Sequence, residues 1–310
     1  MKALRKIGIL AAAAAAVIGI AGCQNNAGGT PDSKKPDSPS PSTVPKDFMK
    51  VPGTSIKGTE TWTPSSNVFV SGRVLDIKSF YMSDHEVTRA EYKDVMESLP
   101  DNMAKAHDKD GNELTGDKVG KNPVNKVSWY DAIVYCNKRS IKEKLTPCYT
   151  IGGKTNPDEW GAVPSSEDST WNAAVCSFGA NGYRLPTEAE WEWAARGGKN
   201  YTYAGSDNID EVAWYTSNTH YTGTRDVKTK KANGYGLYDM SGNVLEWYWD
   251  WYGIITSATP PAGPSSGSDR CQRGGCWGDS AGVEEVALRD YLSPNFRSRV
   301  TGIRVVRSAN

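Results

Sequence analysis

The chain has 310 residues, and its 36 lysines and arginines balance its 36 aspartates and glutamates, so the formal net charge at pH 7 is zero. The basic residues are scattered, which argues against a nucleic-acid partner and against an anionic membrane surface. Eleven tryptophans predict a core of large aromatic rings beneath a polar, loop-rich surface.

The N-terminus has the features of an export signal. Residues 1–6 are positively charged, residues 7–20 form a short apolar stretch, and the stretch ends at Ile-Ala-Gly-Cys23. It is too short to span a membrane, and its ending resembles a bacterial lipobox, in which Cys23 receives diacylglycerol. We predict a signal peptide over 1–22 and a lipoprotein anchored through Cys23, at the outer membrane and cell surface. An ordinary cleaved signal is the alternative.

A tether follows the predicted lipidation site. Residues 23–47 are rich in proline, serine, glycine and lysine and almost free of apolar side chains, so they cannot form a packed core. Their prolines favour extended conformers that hold the folded part away from the bilayer. We predict one folded domain over residues 48–310.

Three helix starts are indicated by capping chemistry. Thr88, Ser128 and Thr187 are each followed three residues later by an acid, the pattern of a capping box. Gly197 and Gly198 should end the third helix. The inward-facing positions predicted from helical spacing are Trp129, Ala132, Ile133 and Cys136 in the second helix, and Ala189, Trp193 and Ala194 in the third.

Strands are predicted at Val68–Leu75 and Gly302–Val306, with glycine-rich loops between short elements. The last strand should lie beside the N-terminal one. No metalloprotease or nucleophile-elbow motif occurs. The paired acids Glu188 and Glu190 are explained by the dipole of the third helix. These features predict an α+β domain without a familiar catalytic motif.

An odd number of cysteines remains after lipidation, which leaves at least one unpaired or shared with another molecule. They are Cys136, Cys148, Cys176, Cys271 and Cys276. The last two invite a redox or copper interpretation because of their spacing. We favour buried thiols or a structural disulfide for that pair.

Five blocks of sequence resemble the formylglycine-generating enzymes and their sulfatase-modifying relatives. The blocks are Val70–Arg89, Asn122–Ala132, Gly182–Gly198, Gly236–Trp247 and Arg273–Arg289. The resemblance implies a C-type-lectin-like fold of short strands, two to three helices and long ordered loops. It does not by itself imply the activity.

The same resemblance bears on metals. In the enzymes, two cysteines after the tryptophan of the last block hold copper; here those places are Asp279 and Glu284, whose hard oxygen donors do not suit monovalent copper. We therefore expect no enzymatic activity and no catalytic cofactor. A structural calcium site is implied at the side chains of Asp239 and Glu246, with the carbonyls of Gly242 and Val244. The alternative is that this turn is braced by its own side chains.

Within the C-terminal forty residues, about 271–310, the segment from Trp277 to Thr301 alternates framework-like positions with side chains that show no helical or strand period, which predicts ordered loop there. This arrangement resembles the treponeme-type variable proteins of bacterial diversity-generating retroelements. By that resemblance the ligand-binding positions are Gly278, Asp279, Ser280, Gly282, Val283, Leu288, Asp290, Tyr291, Leu292, Ser293, Asn295, Phe296, Ser298 and Val300. Ordinary exposed loop residues are the alternative interpretation.

The leading hypothesis is a monomeric, non-catalytic surface lipoprotein that binds an unknown protein or glycan through residues 278–301. One rival is an exported oxidase or modifying factor, for which only Cys271 and Cys276 could hold copper. The other is a fixed-specificity lectin that uses calcium, which is weakened by the lack of the carboxylate and amide triplets that bind sugar hydroxyls.

Overall fold

The computed structural model describes residues 44–309. The predicted signal peptide, Cys23 and the tether as far as residue 43 lie outside those residues. Strand β1 begins at Phe48, at the predicted start of the domain. In the part of the chain that is described, no helix is both long enough and apolar enough to cross a membrane.

The three predicted helices are present and carry complete capping boxes. The backbone N–H groups of Glu91, Asp131 and Glu190 donate to the hydroxyls of Thr88, Ser128 and Thr187 at 3.1–3.2 Å. The α-helices of residues 44–309 are α1 (Arg89–Met96), α2 (Trp129–Lys142), α3 (Ser169–Asn172), α4 (Glu188–Arg196), α5 (Ile209–Val212) and α6 (Thr216–Thr219). Three short 3-10 helices occupy Gly116–Lys121, Pro157–Glu159 and Ala281–Val283.

The predicted inner face of α2 is confirmed, because all four of its residues are buried. In α4 the prediction is wrong at Trp193. Ala189 and Ala194 are buried, but Trp193 is only partly buried and its indole N–H donates to the carbonyl oxygen of Pro52 at 2.8 Å. Trp191 is the fully buried ring. Two acids, Glu188 and Glu192, share the buried face, so the spacing of apolar residues alone misplaces it.

The strands of the described residues are short, and they form five sheets. They are β1 (Phe48–Val51), β2 (Thr54–Ile56), β3 (Leu75–Ile77), β4 (Phe80–Ser83), β5 (Ala106–His107), β6 (Glu113–Leu114), β7 (Tyr149–Thr150), β8 (Val175–Cys176), β9 (Tyr183–Arg184), β10 (Thr224–Arg225), β11 (Leu245–Trp251), β12 (Arg270–Arg273), β13 (Asp290–Leu292), β14 (Thr301–Gly302) and β15 (Val306–Ser308). The two largest sheets have the orders β1-β4-β15-β9 and β13-β12-β11-β14.

Both strand predictions need correction. Only Leu75 of the run Val68–Leu75 lies in a strand, because the chain turns there and the buried Arg73 donates to the carbonyl of Val68 at 2.9 Å. The run Gly302–Val306 is divided between β14 and β15. Residues 303–305 between them are all buried, so the alternation of a strand is lost. The last strand shares a sheet with β1, but β4 lies between them.

The second sheet positions the C-terminal segment. β12 is central and pairs with β11 on one side and with the edge strand β13 on the other. β14 pairs in parallel with the opposite side of β11. Fully buried tryptophans from α2, α4 and β11, namely Trp129, Trp191 and Trp247, fill the core beneath. The described residues therefore form an α+β domain in which the C-terminal segment supplies three of the four strands of this sheet, β12, β13 and β14.

Candidate functional site

All fourteen predicted ligand-binding residues reach the surface. Ser280, Gly282, Leu288, Tyr291 and Phe296 are exposed, and the other nine are half-buried. The framework residues between them are mixed: Val286, Ala287 and Pro294 are buried, but Ala281, Arg289 and Arg297 are half-buried. Burial therefore separates the two sets of positions only in part.

The backbone of this segment is pinned to the core. The carbonyls of Pro294, Ser298 and Val300 accept backbone N–H bonds from Trp129, Lys126 and Leu245 at 2.8–2.9 Å. These bonds come from helix α2, the turn before it and strand β11. Since they are backbone bonds, the side chains of the segment can change without breaking them.

Two arginines add charged anchors to the segment. The Arg297 guanidinium forms a bidentate pair with Asp131 at 2.7 and 3.0 Å. Arg289 donates twice to the buried carboxylate of Glu188, at 2.6 and 2.8 Å. Bidentate arginine–carboxylate pairs fix direction as well as distance. The part of the segment between Arg289 and Arg297 is therefore held at both of its ends.

The prediction of unbroken loop is wrong in two places. Residues 281–283 form a 3-10 helix, and Asp290–Leu292 form strand β13 against β12. The backbone of β13 pairs on one side only, at the edge of the sheet. Three residues are too few to give a period that sequence analysis can detect.

Aromatic side chains are exposed in the C-terminal segment and beside it. Tyr291 is 49% exposed and stacks on Tyr252, with ring centroids 4.2 Å apart. Phe296 is 52% exposed. One more exposed ring was not predicted as part of this surface: Tyr221, which lies beside Gly278. It comes from another loop, and no sequence pattern places that loop next to the C-terminal segment.

Acidic groups accompany the rings. Burial raises the pKa of Asp290, and the negative charge of Asp279 raises it further. The backbone of Asp279 is anchored, since its carbonyl accepts the N–H of Thr216 at 2.9 Å. The surface therefore combines large apolar area with hydrogen-bonding acids, the mixture that adaptable binding faces use.

The two positions where the enzymes have copper-binding cysteines differ sharply from each other. Asp279 is half-buried at the surface, whereas Glu284 is completely buried. Glu284 accepts the N–H of Cys276 at 3.1 Å, and any side chain on Gly275 would overlap its carboxyl group. Burial, and then the charge of Asp279, raise the pKa of Glu284 well above its usual range. A buried glutamate and a surface aspartate offer hard oxygen donors and do not make a soft-metal site.

The five cysteines of residues 44–309 are free thiols. Cys271 and Cys276 are buried, and burial raises the pKa of both thiols. Arg289 donates to the sulfur of Cys271 at 3.8 Å, and Gly278 N–H donates to that of Cys276 at 3.4 Å. A buried thiol with a raised pKa is a poor nucleophile and a poor metal ligand. The pair behaves as buried thiols and not as the disulfide that we also considered.

The residues of the predicted calcium site do not fit that ion. Both oxygens of Glu246 are occupied, by Arg304 at 2.7 Å and by the indole N–H of Trp191 at 2.8 Å. One oxygen of Asp239 accepts the N–H of Lys228, and the other has no partner. Arg304 supplies the positive charge that calcium would bring.

We therefore expect chelation to leave stability unchanged. Excess EDTA should shift the thermal midpoint by less than about 1 °C. If calcium did bind, a free calcium concentration of one hundred times the dissociation constant would stabilise the fold by about 2.7 kcal/mol. Differential scanning calorimetry with EDTA and with calcium chloride measures the difference, and a drop of several degrees in EDTA would restore the calcium hypothesis.

Comparison with known proteins identifies the family. Residues 36–309 match the sulfatase-modifying factor enzyme 1-like domain. The chain belongs to this family. The match confirms the predicted family, and the short strands, few helices and long loops confirm the predicted C-type-lectin-like α+β fold.

Three relatives are informative. The structure of Treponema denticola variable protein 1 has 34% identity and a TM-score of 0.73, over 84% of this chain and 94% of that one. The chaperone protein LppX of Paenibacillus barcinonensis is 38% identical over 86% of this chain and 91% of its own length. The formylglycine-generating enzyme of Thermomonospora curvata is 36% identical over 44% of this chain, which spans about half (52%) of that enzyme. The chain is similar both to a variable protein and to enzymes of one family.

Proposed function

We propose that this family member is a non-catalytic ligand-binding lipoprotein displayed on the cell surface, and that its ligand face consists of the fourteen C-terminal positions. The observation that carries the proposal is the division within residues 278–301: the backbone is pinned by bonds to the core while the side chains named above reach solvent. The likeness to a treponemal variable protein supports a diversified face. We infer that the partner is a protein or a glycan, that the protein acts as a monomer, and that Cys23 carries the membrane anchor.

The chemistry at the two positions where the related enzymes have copper-binding cysteines supports a protein without oxidase activity. Asp279 and Glu284 offer oxygen donors, and the thiols of Cys271 and Cys276 are buried with raised pKa values. An oxidase would need stoichiometric copper that is lost in Cys276→Ser. We expect less than about 0.1 copper per chain in both the parent and that variant, measured by metal analysis after reconstitution with monovalent copper.

Diversity can be tested in populations. Sequencing the 3′ end of the gene across isolates should reveal substitutions confined to codons 278–301, together with a nearby template copy that carries adenines at those sites. Substitutions should spare framework codons such as those of Pro294 and Arg297, because these residues hold the segment. A uniform sequence without a template copy would refute diversification.

Loss of the exposed rings should weaken binding and leave the fold intact. For ligands selected from protein and glycan arrays, Tyr291→Ala and Phe296→Ala should each reduce affinity about 30-fold, because half-exposed aromatic side chains dominate interface energy. Ile141→Ala is the matched control, since Ile141 is exposed to a similar degree on α2. Equal effects of all three substitutions, measured by biolayer interferometry, would place the ligand elsewhere.

A chaperone role is the second candidate, favoured by 38% identity over nearly the whole length of LppX. A chaperone also binds a protein without catalysis, but its client surface would be fixed. It therefore predicts a uniform sequence at codons 278–301. Co-purification of one exported client, together with a uniform sequence at codons 278–301, would support this candidate over a diversified receptor.

A further inference from the structure

A cleft of about 390 Å³ lies beside strands β11 and β12. Its walls are the rings of Trp249 and Trp251, the loop 260–265, residues 172–174 and Arg270. None of the fourteen predicted ligand-binding residues lines it. The cleft is therefore a separate feature from the C-terminal face.

Arg270 is the unusual member of this wall. The side chain is 1% exposed, and its guanidinium carbon lies 3.8 Å from the ring centroid of Trp129 and 3.4 Å from that of Trp251. One terminal nitrogen donates to the carbonyl of Trp249 at 2.5 Å, and the other makes a long bond of 3.4 Å to the carbonyl of Asn172. The Nε atom has no hydrogen-bond partner among residues 44–309.

The charge of Arg270 also lacks a direct counterion. Within residues 44–309, no carboxylate forms an ion pair with it, whereas the buried Arg273 and Arg304 pair with Glu188 and Glu246. Burial lowers the pKa of Arg270 to about 9, against the opposing charge of Asp250. A buried cation that no direct ion pair offsets is costly, so a carboxylate that reached Arg270 from the cleft would gain more than an ordinary surface contact provides.

The rest of the wall is preformed. Arg73 holds the loop by donating to the carbonyls of Thr259 and Pro260 at 3.1 and 2.5 Å. Gly263 lies against the carboxyl group of Asp250, so closely that any side chain there would overlap it. Proline, alanine and tryptophan make up most of the remaining lining. A fixed apolar cleft with one cation has the composition of a small-molecule site.

We propose that this cleft binds a small carboxylate carrying a flat apolar group, with the carboxylate at Arg270 and the flat group against Trp249 and the proline-rich loop. The planar guanidinium suits a carboxylate, because its N–H groups form a fork that matches two oxygens. The tryptophan rings supply the face on which a flat group packs. This site does not depend on the function proposed for the C-terminal face.

Benzoate is the probe, and benzamide is its neutral counterpart with the same ring. Titration of the folded domain, followed by tryptophan fluorescence and by calorimetry, should give saturable benzoate binding at least about 10-fold tighter than that of benzamide. Ser265→Trp, at the exposed rim of the cleft, should reduce the benzoate affinity at least about 10-fold. The matched control is Ser266→Trp, because Ser266 is exposed but does not line the cleft. Arg270 itself is left intact, since its guanidinium fills the space between two rings.

A tetrapeptide ending in phenylalanine distinguishes the source of the carboxylate. If the free-acid peptide binds more tightly than benzoate, and its binding is lost when the C-terminal carboxylate is amidated, the site is supported and its ligands are peptide C-termini. Tighter binding of benzoate supports the site and assigns it to free carboxylates. Equal binding of benzoate and benzamide, benzoate binding that survives Ser265→Trp, or no binding of any probe at 10 mM, about the weakest affinity of interest, would overturn the proposal.

Discussion

Replacing Glu188 by glutamine is expected to lower the free energy of unfolding by about 3–5 kcal/mol. The carboxylate of Glu188 is completely buried and accepts hydrogen bonds from Arg273 at 2.9 Å and from Arg289 at 2.6 and 2.8 Å. Its removal leaves two guanidinium groups in the interior with too little negative charge. Among residues 44–309, Glu192, 3.0 Å from Arg273, is then the one carboxylate still paired with either arginine.

The matched control is Glu113→Gln, which breaks the exposed pair with Lys105. Pairs of that kind contribute about 1 kcal/mol or less. Urea unfolding of both variants gives the comparison. Losses of similar size would contradict the view that the buried network holds Arg289, and with it the start of β13, in place.

Replacing Asp250 by asparagine should remove a large pH dependence of stability. Burial raises the pKa of Asp250 to about 7, and the charge of Glu188 contributes to that rise. In the unfolded chain the pKa is about 3.9. At pH values between about 3.9 and about 7, Asp250 is ionised in the unfolded chain but keeps its proton in the fold. Protonated Asp250 therefore stabilises the fold most at low pH. That contribution is lost as pH rises through 7, by up to about 4 kcal/mol.

Asparagine preserves the local contact, because its side-chain oxygen can still accept the N–H of Glu188, which lies 2.8 Å from the Asp250 carboxylate. We expect the parent to lose stability relative to Asp250→Asn as pH rises from 4.5 to 8, measured by urea unfolding at several pH values. If the difference in the free energy of unfolding between the two proteins stays constant from pH 4.5 to 8, Asp250 is ionised in the fold at every one of these pH values.

Local chemistry made the helices predictable from the sequence. Each capping box joins residues three apart, and the structure forms all three. The strands were not predictable, because most have two to four residues and their pairing depends on distant segments. Trp193 was misplaced because the neighbouring glutamates, Glu188 and Glu192, are buried and paired with arginines that lie far away or on the same helix. Sequence spacing cannot show which acids will be neutralised.

The candidate surface was also predictable in part, because most of its residues are close together in the sequence. The exposed positions lie in one continuous segment, so their alternation with framework residues can be seen in the chain itself. Tyr221 and Tyr252 join that surface from other loops and required the fold. The pairing of Glu246, a residue of the predicted calcium site, with Arg304, fifty-eight residues further along the chain, also required the fold. Long-range charge pairing is the information that the sequence lacked.

Exchange of the fourteen surface residues tests the central claim most directly. A chimera would keep every framework residue of this chain and carry, at those fourteen positions, the corresponding residues of the Treponema denticola variable protein. Both parents and the chimera would be probed on the same protein and glycan arrays. If residues 278–301 form the ligand face, the chimera binds what the treponemal protein binds and loses the specificity of this chain. If the chimera keeps this chain's own binding profile, the ligand is recognised by the scaffold and the account is wrong.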